Sequence, residues 1–73
     1  MVWKVRLWMG EIVALDETDW KKIRKLKREG KIIEIDDTDE CEIIFYAPSL
    51  EAAKEVKKAF NDWPEPVEIE KGE

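Results

Sequence analysis

Two β-branched runs, KIIEID at 31–36 and CEIIFYA at 41–47, face each other across an acidic turn, and a capped helical segment flanks the pair on either side. Side chains in such runs alternate between two faces, so they belong in a sheet that needs a second layer to cover one side. A chain of 73 residues has room for one such layer, since at this size only about 60% of the extended surface is buried on folding. The expectation is a single domain over 1–73, with 71–73 frayed, built as a small α+β two-layer structure with an antiparallel sheet and two helices. Trp3, Trp8, Trp20, Trp63, Phe45, Phe60 and Tyr46 supply the bulk that a short chain needs in its core.

The first fifteen residues admit two readings. Trp3, Val5 and Leu7 alternate with Lys4, Arg6 and Trp8, then Met9 and Gly10 stand where a turn would sit, and residues 11–15 are again β-prone. A hairpin is the preferred reading, giving the order ββαββα with a further short strand at 67–70. The alternative is one strand and a loop into the helix, which gives a ferredoxin-like βαββαβ order.

Helix signals are clearer. Asp16 is placed to cap a helix, with Asp19 three residues on completing a capping box, and Gly30 suits the C-terminal end. At about 100° per residue, Ile23, Leu26 and Trp20 fall on one side, and Lys21, Lys22, Arg24, Lys25 and Arg28 on the other. Ser49 caps a second helix from Leu50 to Asp62 or Trp63, with Ala52, Val56, Ala59, Phe60 and Trp63 as its apolar stripe and Pro64 and Pro66 as its stop. In the sheet, Ile33 and Ile35 are expected to share a face with Cys41, Ile43 and Phe45, leaving Ile32, Glu34, Ile44 and Tyr46 on an unusually apolar second face. Trp3 and Trp8 take opposite faces by parity, and Trp20 and Trp63 belong to the core or its rim.

Several chemistries lack their residues. There is no histidine and one cysteine, so an internal disulfide and the usual zinc sets are excluded, and Cys41 is read as a buried structural thiol. Gly10, Gly30 and Gly72 are isolated and make no phosphate-binding loop. Asp36, Asp37, Asp39, Glu40 and Glu42 lack calcium-loop spacing and are read as turn formers and solubilising charge. The expectation is no enzyme, no cofactor and no metal. No apolar run approaches a membrane span and none near Met1 resembles a signal peptide, so a cytoplasmic, non-membrane protein is expected. The abundance of Lys and Glu, with Asn61 the only amide side chain, suits a thermostable protein.

Two surfaces remain as candidates. Seven of the 13 basic residues fall in 20–31 although the net charge is -5, and segregated charge can orient an anionic partner at short range. The first expectation is a small protein-interaction or assembly module, self-associating as a homo-oligomer or docking a protein partner through Trp8, Ile44 and Tyr46. The alternative is a nucleic-acid-binding accessory protein that sets Lys21, Lys22, Arg24, Lys25 and Arg28 along a DNA or RNA phosphate backbone.

Overall fold

The alternation at 3–8 is realised as β1 (Trp3–Trp8), which drives Val5 and Leu7 into full burial while Arg6 and Trp8 turn the other way. In the computed structural model, which describes residues 1–10 and 15–72, the further elements are α1 (Glu17–Arg28), β2 (Glu34–Asp36), β3 (Glu42–Ala47), α2 (Leu50–Ala59) and β4 (Val67–Lys71). All pairings are antiparallel and the strand order is β2-β3-β1-β4. The two central strands were the first and third met along the chain, as in the ferredoxin-like βαββαβ arrangement.

An antiparallel sheet with two helices is therefore the architecture, and its element order is the alternative reading of the N-terminal region. The second strand of the preferred hairpin falls mainly on 11–14, outside the described residues. The described sheet gives a physical reason against such a partner: one edge of β1 is paired along its length with β3 and the other with β4. Leu15 packs against the core without belonging to a strand.

Both helix starts follow the sequence. Asp16 accepts from the Asp19 amide at 2.9 Å and Asp19 returns the bond to the Asp16 amide at 3.1 Å, a reciprocal capping box. Ser49 Oγ accepts from the Ala52 amide at 3.1 Å. At the end of α1 the Gly30 amide bonds to Lys27 O at 3.1 Å and the Lys31 amide to Leu26 O at 2.9 Å, with Gly30 at φ +80. This is a Schellman closure, and positive φ is what makes glycine the fitting residue there.

The closure overturns one face assignment. Ile32 is drawn back beneath α1, its amide directed at Leu26 O, and is buried, whereas Ile33 is 49% exposed. The Ile33 amide bonds to Tyr46 O at 2.8 Å although Tyr46 already stands opposite Glu34, so two residues face one, as in a β-bulge. Parity is thereby shifted ahead of β2, and Ile33 replaces Ile32 on the second face. Cys41 is likewise exposed rather than buried. It lies just outside β3, its amide held by Asp39 Oδ1 at 2.7 Å, and therefore escapes the alternation that buries Ile43 and Phe45.

α2 is shorter than its pattern, ending at Ala59 with Phe60 as C-cap; tighter bonds from Phe60, Asn61 and Trp63 to carbonyls three residues back close it. That turn swings Phe60 onto Phe45, ring centroids 5.8 Å apart and nearly parallel, and sets Trp63 edge-on to Phe60 at 6.0 Å. Trp20 and Trp63 are core-rim residues as expected, and Trp63 Nε1 donates to Trp8 O at 2.8 Å. β4 closes one edge of the sheet. Its pairing runs into the segment expected to fray, since Lys71 belongs to β4 and the Gly72 amide bonds to Val2 O at 2.9 Å.

Candidate functional site

Because both helices cover one side of the sheet, the other side is, among the described residues, a continuous open face. Registers place Arg6 opposite Ile44 and Glu68, Lys4 opposite Tyr46 and Glu70, Trp8 opposite Glu42, and Glu34 and Asp36 opposite Tyr46 and Ile44. Trp8, Ile44 and Tyr46, the three expected anchors, thus share one face. Ile44 follows Trp8 on the diagonal across β1 and β3, within reach for large side chains. All three are half-buried by their neighbours.

Arg6 organises the centre of this face. Its Nε donates to Glu42 Oε2 at 2.8 Å, and its two terminal nitrogens reach Glu70 at 2.9 and 3.0 Å. The Glu42 bond chiefly, with Glu70 adding, raises the guanidinium pKa above its ordinary value, so Arg6 stays cationic. Its guanidinium lies 5.9 Å from the Trp8 ring centroid, and Trp8 Nε1 donates to Glu68 at 2.9 Å. Lys4 lies 6.0 Å from the Tyr46 ring. At the margin, Asp36 accepts from Thr38 Oγ1 at 2.7 Å and from the Thr38 amide at 3.1 Å, and these bonds hold its carboxyl below its ordinary value.

The face is therefore less apolar than the run of isoleucines implied, because Glu34, Asp36, Glu42, Glu68 and Glu70 surround the two cations of β1. Its apolar part is concentrated at one corner. There Val2, Ile33 and Tyr46, with Lys4 and Glu34, line a shallow cleft. Ile33 is the residue that sequence reasoning missed; only the bulge created by the helix closure turns it outward.

The helical layer has the opposite character. On α1, Ile23 and Leu26 are buried and the cations point away from the sheet. Two of the five expected phosphate contacts are occupied within the chain: Arg24 meets Glu17 at 2.9 Å, and Lys22 stands 3.8 Å from Asp62 and 5.6 Å over the Phe60 ring. Lys21, Lys25 and Arg28 are exposed, and among the described residues none is within 4.0 Å of a carboxylate. α2 adds exposed Lys54, Lys57 and Lys58 to the same layer. A shallow groove between the helices brings Lys22, Lys25, Lys31 and Lys58 together over Leu26 and Ala59, opposed by Glu29 and Glu55.

Among the described residues no group of three or more Cys, Asp or Glu side chains is arranged to hold a metal ion. No helix of the described residues is long and apolar enough to cross a membrane. Comparison with protein-family models, with curated proteins and with solved structures returns no match.

Proposed function

We propose that this chain is a small, non-catalytic interaction or assembly module of the cytoplasm that docks a protein partner, a second copy included, through its open sheet face. The observation carrying this reading is the corner where Ile33, 49% exposed, adjoins Tyr46 and Val2, with Ile44 two residues before Tyr46 on the same face of β3. Apolar side chains left in water are what an interface covers at a gain. Trp8 extends the same surface, and its polar edge is already satisfied by Glu68, so covering its ring leaves no unpaired donor. Exposed Cys41 suits a reducing compartment. Sedimentation velocity across the micromolar range tests the assembly form: the expected result is a concentration-dependent oligomer that changes little with moderate salt and is lost in Ile33→Glu. A monomer throughout that range removes self-association, and absence of any partner cross-linked through a photoreactive group at Tyr46 removes docking altogether.

A second reading rests on the stripe Lys21, Lys25 and Arg28. These positions lie four and three residues apart on one side of α1, so the cations follow one another by about 6 and 4.5 Å along the axis and form a row of positive charge that a phosphate backbone can lie against. On this reading the chain is a nucleic-acid-binding accessory protein, and binding to DNA or RNA falls steeply with salt and is lost in the Lys21→Glu, Lys25→Glu double variant. No binding to either at low salt removes it.

A further inference from the structure

The outer edge of β4 combines three features that together define a ligand. The Trp8 amide bonds to Pro66 O at 3.2 Å and the Gly72 amide to Val2 O at 2.9 Å, which fixes the phase of the β1 to β4 ladder. In an antiparallel ladder, alternate residues bond to one neighbour. Glu68 and Glu70 therefore direct their backbone groups to β1, and the N–H and C=O groups of Val67, Ile69 and Lys71 point outward, where no strand of the described residues pairs with them.

Side-chain parity adds the second and third features. On the open face the edge displays Glu68 and Glu70. On the helix side it borders a cleft of about 440 Å³ whose apolar lining is Phe60, Trp63 and Val67, with Lys54 and Glu65 among its polar rim. A strand added to this edge would place alternate side chains on the helix side, the one beside Val67 at the cleft, and the intervening ones beside the two glutamates. Backbone pairing supplies affinity in such strand addition, and pockets for alternate residues supply specificity.

The chemistry also disfavours a second copy of this strand in the register that uses the whole edge. Antiparallel self-pairing centred on Ile69 sets Glu68 opposite Glu70 of the other copy twice, at positions where side chains approach most closely, and like charges so placed repel. The edge of β2 carries Glu34 and Asp36 and is equally unsuited. What fits is the pattern of β1, the strand already accepted on the inner edge, where Lys4 and Arg6 alternate with Trp3, Val5 and Leu7 opposite those same glutamates.

We infer that β4 is a strand-addition site for an extended segment of a partner protein in which apolar and basic residues alternate. The inference does not require the open-face reading, since Ile33 and Tyr46 lie on the β2 side of the sheet and β4 forms the other edge.

The test uses an end-capped, dye-labelled peptide alternating valine and arginine, beside a control of identical composition with the arginines grouped together. Anisotropy titration should show the alternating peptide binding at least about tenfold more tightly than the control. Hydrogen exchange read by NMR should show new protection at the amides of Val67, Ile69 and Lys71. Lys71→Pro removes one outward amide while leaving the bonds to β1 intact, and it should weaken binding by about tenfold, the worth of one good hydrogen bond. Equal affinity for both peptides, no binding of either, or protection confined to residues outside β4 would overturn the inference, and the exchange measurement on the unmodified chain decides even if the proline variant fails to fold.

Discussion

Ile44 and Phe45 are neighbours on β3 and belong to different worlds. Phe45 points into the helix-covered face, fully buried against Phe60. Ile44 points to the open face, half-buried between Arg6 and Asp36. The covered face is apolar throughout, with no buried polar or charged residue among those described, so its cohesion comes from area removed from water and from close packing. The open face is held by charges that satisfy one another, each contributing little to folding because solvent screens it. The same four strands thus carry an apolar core on one side and a network of paired charges on the other.

The largest expected effect tests that division directly. Phe45→Ala should cost about 3–5 kcal/mol, comparable with the whole stability of a domain this small, and leave little folded protein in urea titrations. Ile44→Ala should cost about 1 kcal/mol. Equal losses at the two positions would erase the distinction between the faces.

Next in size is the cap of α2. Ser49→Ala should lower stability by about 1 kcal/mol, since the Ala52 amide loses its acceptor, and thermal unfolding would register it. A double-mutant cycle on Arg6 and Glu70 should give a coupling of about 0.2–1 kcal/mol that shrinks with salt. A much larger value would mean that the open face helps to specify the fold. Ile33→Ser should change stability by less than about 0.5 kcal/mol, because the residue is already exposed, while weakening association if its corner is the interface.

Acid sharpens the comparison further. Asp36 and Asp16 are held below the ordinary 3.8, Asp36 mainly by the Thr38 hydroxyl and Asp16 mainly by the Asp19 amide. A carboxyl lowered in the folded state stabilises at pH values above its unfolded pKa, and that contribution disappears as pH falls through the folded value. Urea midpoints should therefore decline on the acid side below about pH 4, and less steeply in Asp16→Asn, which keeps a capping oxygen but does not titrate. Parallel decline in both proteins would remove the cap as a source of the pH dependence.

Local chemistry was legible wherever it depended on residues close in sequence. The caps at Asp16 and Ser49, the glycine closure at Gly30, the inward set Ile23 and Leu26, and the alternation in β1 and β3 all follow from spacing alone. The exceptions arise at boundaries. Ile32 and Ile33 are chemically equivalent in the sequence, and the helix closure decides which one is buried. Cys41 fits the strand pattern but falls one residue short of the strand. The candidate surfaces were legible in part: Trp8, Ile44 and Tyr46 do share a face, and α1 does present cations to solvent, yet Arg24 and Lys22 are drawn to Glu17 and Asp62.

The sequence determined the two helices, the strands β1 and β3 and most of their inward faces, because backbone sterics, capping and hydrophobic periodicity act over a few residues. Tertiary structure alone decided that β1 lies between β3 and β4, that the lysines of α2 join those of α1 on one layer, and that β4 keeps beside a cleft an edge that no strand of the described residues pairs. Those outcomes depend on contacts between segments up to the full length of the chain apart, where alternative pairings differ only in how completely their apolar faces are covered.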